Sequence, residues 1–278
     1  MVGIKFSGRL GNQMFQYAFG LMLAKKYNYT TFFIFHKNGI NKTILHKYFV
    51  LDKFSLIKNF FLKKCFILMK KKRIISIKNS FAFPHINYDK LNQSIISGYF
   101  QSENCFKDFS DEIKHSFTIK KKHIERFNKK YHSYFKNNKT IAIHIRRGDY
   151  RFWGDDNLGE KNLSLPIAYY NKILQSIPNL SDYKIIIVSD EQKEVIQKDF
   201  ANFKTLEISS NNLITDFQII QKADIAIISN STFSWWAAYL NNKPNKIIYA
   251  PKYWLGFKVN KEYPAGIMSV DWKWIEVE

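Results

Sequence analysis

Along the second half of the chain, short runs rich in Ile and Val recur between segments of helical period. "TIAIHI", "YKIIIVSD", "FKTLEIS", "DIAIISN" and "NKIIYAP" have the length and β-branched content of strands. Between them, "PIAYYNKILQSI", "EQKEVIQKDF", "NLITDFQIIQKA" and "STFSWWAAYLNN" read as helices. This alternation predicts parallel βαβ units with right-handed crossovers. The first half opens the same way. "VGIKF" is a strand, "SGRLGNQ" a glycine-bearing loop, and "MFQYAFGLMLAKKYN" places Phe15, Phe19 and Met22 on one helical face before a second strand, "TFFIF". The expected architecture is α/β, with two Rossmann-like domains facing across a cleft. The boundary is placed after residue 139, with "KNNKT" as the linker and the C-terminal tail able to return to the first domain.

One strand carries an unusual load. In "IAIHIRRGDY", the period of two places Ile141, Ile143 and Ile145 on one face, and Ala142, His144 and Arg146 on the other. A half-buried strand thereby delivers a histidine and two arginines to its end, where Asp149 follows. Open parallel sheets take ligands beyond the carboxyl ends of their strands. "SGRLGNQ", "HIRRGDY", the "VSDE" around Asp190, and "SNSTFSWW" all fall at such ends.

Composition narrows the function classes. The 278 residues hold 46% hydrophobic residues and only two cysteines, Cys65 and Cys105. That count gives neither a disulfide framework nor a zinc set, so a reducing compartment is expected. No run approaches ~18 apolar residues, and the opening "MVGIKFSGRLGNQMF" has no apolar core of signal-peptide length. The net charge is +20, and residues 1–139 carry all of it, with 27 Lys+Arg against 7 Asp+Glu. Residues 53–73 hold eight bases and no acid, in the manner of a basic amphipathic helix. A packed surface helix with snorkelling lysines fits the same pattern.

The arginines point to an anion. A guanidinium offers a rigid fork of donors that matches phosphate. Ser231 and Thr232 precede a helix whose first amides form a natural phosphate site, while Asp190 and Phe233 suit a nucleoside. Neither G-x-x-x-x-G-K-[ST] nor G-x-G-x-x-G occurs, nor does H-E-x-x-H. The residues fit a metal-free site holding a nucleotide diphosphate.

"GRLGNQMFQYAFG", "HIRRGDY" and "SNSTFSWWAAYL", in this order, resemble the three signatures of the α-1,2-fucosyltransferase family (glycosyltransferase family 11), itself similar to the α-1,6- and protein O-fucosyltransferases. The resemblance implies a GT-B fold, with residues 1–139 on the acceptor side and 140–278 binding GDP-β-L-fucose. It also implies inversion at the anomeric carbon, no cofactor or required metal, and transfer to the 2-hydroxyl of a terminal galactose. By the same resemblance Arg146 holds the β-phosphate, Arg147 supports it and His144 lines the pocket. Asn12, with Gln13 beside it, faces the reacting sugar. Ser231, Thr232 and Phe233 contact phosphate and guanosine, and Asp190 lies near the nucleoside. The related α-1,6 enzymes have a candidate catalytic glutamate shortly after their arginine motif. Here Asp149, Asp155, Asp156 and Glu160 compete for the role of base.

An arginine on the leaving phosphate gains strength as charge develops there, so it accelerates the step. Two rival readings remain at this level: a transferase for another nucleotide sugar, and a basic nucleic-acid-binding protein. The second lacks any recognisable reading module, so no nucleic acid is expected. The expected setting is a bacterial cytoplasmic enzyme building surface glycans such as O-antigen or lipopolysaccharide. Lys58, Lys63, Lys64 and Lys70 to Arg73 would contact an anionic membrane peripherally.

Overall fold

The computed structural model describes the chain except residues 37, 38, 40, 41, 52–55, 204 and 205. Part of the strand read at "FKTLEIS" and the start of the basic segment at 53 lie outside the described residues. The chain divides into two compact units, residues 1–120 with 264–267, and residues 121–263 with 268–278.

The first unit is built on a four-stranded parallel sheet of β1 (Val2–Lys5), β2 (Thr31–Ile34), β3 (Arg73–Ser76) and β4 (Ser94–Ser97), in the order β2-β1-β4-β3. Helices α1 (Leu10–Lys26), α2 (Leu45–Tyr48), α3 (Leu56–Leu68) and α4 (Ser110–Ser116) accompany it. Its core is aromatic: Phe15, Phe19 and Phe32 are buried, and Phe19 stacks on Phe100 at 3.9 Å between centroids. Residues 264–267 return to this unit as a strap. Ala265 N donates to Ser80 O at 3.0 Å, and Gly266 (φ +81) sits where a Cβ would come within 2.3 Å of Ser102 Oγ.

The second unit holds α5 (Lys121–Asn137), β5 (Lys139–Ile145), α6 (Ile167–Gln175), β6 (Tyr183–Ser189), α7 (Lys193–Asp199), β7 (Leu206–Ile208), α8 (Leu213–Lys222), β8 (Ile225–Ile227), α9 (Thr232–Tyr239), β9 (Ile247–Pro251) and β10 (Lys273–Ile275). Its strands form one parallel sheet in the order β10-β9-β8-β5-β6-β7. From β5 the chain runs outward through β6 and β7, then returns to lay β8 on the other side of β5. The crevice between β5 and β8 is therefore the topological switch point of this sheet. The crevice between β1 and β4 is that of the first.

Three expectations change here. The unit boundary falls at 120, not 139, because α5 buries His123, Phe127 and Tyr131 within the second unit. Gln218 Nε2 donates to His123 O (3.3 Å), and Asn211 Nδ2 to Tyr131 OH (2.7 Å). "KNNKT" is accordingly no linker, since α5 ends at Asn137 and β5 starts at Lys139. With this division the first unit carries a net charge of +14 and the second +6. Second, β5 is buried on both faces rather than one, because it is central in its sheet. Third, among the described residues of the basic segment the helix covers Leu56–Leu68, and Arg73 already starts β3.

Candidate active site

The second unit's switch point gathers the residues at the ends of β5 and β8. His144 is buried, and its Nδ1 lies 2.8 Å from Ser229 Oγ, just beyond β8. The Phe233 ring stands 5.5 Å from the imidazole and 5.5 Å from Phe217. Ser231 takes the N-cap position of α9 with extended backbone, yet its hydroxyl makes no capping bond. The end of α9 is thus not closed by its own cap residue, and first-turn amides are the groups that anions use. Trp235 and Trp236 are fully buried and anchor the helix behind this end. Tyr169 and Tyr170 of α6 pin both strand ends from behind, donating to Ile228 O (3.1 Å) and His144 O (3.3 Å).

Burial pulls the His144 pKa down to about 4, outweighing the opposite pull of Asp190. The folded ring is neutral where an unfolded histidine, near 6.5, takes up a proton. Stability is therefore present above pH 6.5, falls as the pH drops towards 4, and levels off below that. The linked loss reaches about 3 kcal/mol. Urea unfolding between pH 4 and 8 should show this slope in the wild type and a flatter profile in His144→Gln. Parallel profiles would show that His144 is not the group responsible.

The two arginines turn to different partners, as consecutive residues at a strand end do. Arg146 Nη1 pairs with Asp190 Oδ2 at 2.6 Å, its Nη2 bonds Asp149 Oδ1, and its guanidinium lies 5.5 Å from the Tyr150 ring centroid. Tyr150 OH donates to Asn230 O at 3.0 Å, which ties this arginine's platform to the α9 segment. Arg147 instead pairs with Asp199 (2.7 Å) and Glu191 (3.7 Å). Glu191 is also bonded by Arg151, and its carboxyl is held below the usual range by the Gln192 amide, ahead of the arginine charges.

Asp190, exposed at the end of β6, is tied to both arginines. Its Oδ1 accepts the Arg147 amide at 2.8 Å while Oδ2 holds Arg146, so both oxygens are engaged. Gly148 makes this possible, since a Cβ there would stand 2.5 Å from Asp190 Oδ2. Asp190 thereby positions Arg146. Asp155 likewise caps its own 3-10 turn by accepting the amides of Asn157 (3.0 Å) and Leu158 (3.2 Å). Glu160 pairs with Lys258. Among the four acidic candidates, Asp149 is the one bonded to Arg146.

In the first unit, the loop between β1 and α1 lies at the β1/β4 switch point. Gln101, which follows β4, donates from Nε2 to Asn12 Oδ1 at 2.7 Å. Gly8 adopts φ +72, and a Cβ there would meet Asn12 Nδ2 at 2.3 Å. Gln13 is fully buried, donating to Gly8 O (3.0 Å) and Lys42 O (2.9 Å) and accepting from Ile44 N (3.1 Å). It clamps the loop, and its amide is used up inside the protein. Gln16, absent from the sequence-derived site, does the same for Ser7 and Gly98 O. Its position three residues after Gln13 on the same helix face was the available signal.

The chain matches the glycosyl transferase family 11 profile over residues 1–276. The chain belongs to glycosyl transferase family 11. Family 11 relatives include the O-antigen biosynthesis glycosyltransferase WbnK of Escherichia coli, 27% identical over 89% of this chain and 93% of that protein. An α-1,2-colitosyltransferase of the same organism is 25% identical over 100% of this chain and 99% of its own length. Among solved structures, the NodZ α-1,6-fucosyltransferase soaked with GDP-fucose aligns with TM-score 0.54 at 12% identity, over 86% of this chain and 92% of that one. POFUT1 in complex with GDP aligns with TM-score 0.55 at 15% identity, over 90% and 97%. These likenesses give this family 11 member the GT-B type α/β fold.

Proposed function

We propose that this family 11 glycosyltransferase moves L-fucose from GDP-β-L-fucose to the 2-hydroxyl of a terminal galactose, inverting the anomeric carbon. The observation that carries the reading is the setting of Arg146 at the switch point, held by Asp190 over the Tyr150 ring, whose hydroxyl reaches Asn230 just before α9. A leaving diphosphate needs a fixed cation whose hold tightens as charge develops, and helix amides to share the load. Asp149 is the exchangeable partner of Arg146, being nearly half exposed, whereas Asp190 is more enclosed. When phosphate takes its place on the guanidinium, the Asp149 carboxylate is released to accept the acceptor hydroxyl proton. No cofactor or metal enters this scheme.

A second donor has a specific observation behind it, the α-1,2-colitosyltransferase relative that spans the full chain. Colitose is L-fucose without its 3-hydroxyl, so the two donors differ by one polar group. A site that hydrogen-bonds that hydroxyl rejects the deoxy sugar strongly, by ~10⁴-fold or more. Turnover of GDP-fucose, GDP-colitose, GDP-mannose and UDP-galactose with a galactose-terminated acceptor, in EDTA throughout, tests the reading. GDP-fucose should be consumed fastest and form an α-1,2 linkage. Preference for GDP-colitose would move the assignment to that sugar, and activity restored only by Mg²⁺ or Mn²⁺ would overturn the metal-free scheme. The proposed setting is the cytoplasmic assembly of an O-antigen-like surface glycan.

A further inference from the structure

The first unit carries a helix that buries little of itself and leaves an apolar side exposed. Helix α3 is seated on the edge strand β2 by few residues. Asn59 donates to Phe33 O at 3.0 Å and accepts Phe33 N at 2.6 Å, satisfying strand-edge groups, and Phe66 packs on Phe32 with centroids 5.0 Å apart. Only Asn59 and Phe66 of this helix are buried. Leu56, Ile57, Phe60, Phe61, Ile67 and Leu68 are all more than half exposed, Leu68 at 83%. At about 100° per residue these six fall within an arc of roughly 140° on the helix. Lys63 and Lys58 flank that arc, and Lys64 lies along it with its ammonium 4.7 Å from the Phe60 ring centroid.

The charge along this segment is of one sign. Residues 56–76 include Lys58, Lys63, Lys64 and the run at 70–73, all exposed, and no acidic residue. Such a contiguous exposed apolar patch is unusual on a soluble surface and marks an interaction site. A second copy of the chain is a poor occupant, since it would bring the same cations face to face. A spanning role is excluded for α3 too, because no helix among the described residues is long and apolar enough to cross a membrane. An apolar arc flanked by lysines is complementary to an anionic lipid surface, with rings and branched chains at the acyl boundary and ammonium groups among phosphates.

We infer that α3 and the basic turn after it dock the enzyme peripherally on an anionic bilayer. Docking is independent of which sugar nucleotide the second unit uses. Its value lies in bringing the transferase to acceptors carried at that surface. The test is co-sedimentation of the full chain with phosphatidylcholine vesicles, with or without about one-third phosphatidylglycerol. Wild type should pellet with the anionic vesicles and be released by salt. Two variants on exposed positions, Phe60→Ser/Phe61→Ser and Lys58→Glu/Lys63→Glu/Lys64→Glu, should each bind at least about tenfold more weakly. Both should keep the wild-type melting temperature and turnover of a soluble acceptor. Equal pelleting with neutral vesicles, wild-type binding by either variant, or concentration-dependent dimerisation abolished by Phe60→Ser/Phe61→Ser would overturn the inference.

Discussion

Arg146→Ala is expected to fold and to lose transferase turnover by at least ~10²-fold, the scale for removing a group that stabilises transition-state charge. The side chain is fixed between Asp190 and Asp149 over the Tyr150 ring, so its position is set before a donor arrives. Pre-organisation of this kind makes its contribution larger in the transition state than in the bound ground state. Folding should survive, because Asp190 keeps the Arg147 amide and Asp149 is partly solvated. Arg146→Lys should also be poor, since an ammonium cannot hold Asp190 and a phosphate in the same planar fork. Melting curves with single-turnover kinetics check both variants. Near-normal turnover in a folded Arg146→Ala would remove the leaving-group role.

Asp149→Asn should have the next largest effect. The amide retains an oxygen for Arg146 but can no longer take up a proton, so kcat should fall by ~10²- to 10⁴-fold while GDP binding is kept. Asp155→Asn is the informative comparison. Asparagine caps as well as aspartate does, so a residue that caps a 3-10 turn should tolerate the change with activity near wild type. If Asp155→Asn is the inactive variant and Asp149→Asn the active one, the base has been assigned to the wrong carboxylate.

Much of the architecture was legible because the sheet of the second unit is parallel and buried, which leaves near-continuous Ile and Val runs in the sequence. "RIIS", "SIIS" and "KWI", the strands β3, β4 and β10, escaped: they are as short as β1, β2, β7 and β8, but none leads into a helix of readable period, the alternation by which those four were recognised. The candidate site divides in a similar way. His144, Arg146 and the Ser229–Phe233 segment were visible as polar clusters at strand ends, and the structure brings them together. Which partner each polar residue finds within the chain was not visible. Arg147, Asp190, Asp155 and Gln13 have the right chemistry for a site. Asp190 and Arg147 lie 43 positions apart in the chain, and no local pattern reports such a partner. Tyr150 was inside the quoted motif, but its role follows only from its bond to Asn230.

The strap at 264–267 bears on how the protein is made. A ribosome releases the first 120 residues well before it synthesises Ala265, which supplies a backbone bond to Ser80. Vectorial folding, in which each unit closes as it emerges, therefore leaves the amino-terminal unit unfinished until the chain is nearly complete. A nascent chain stalled after residue 120 should be more open to protease around Ser80 than the finished protein is. Dividing the gene at residue 120 would separate the first unit from its last piece.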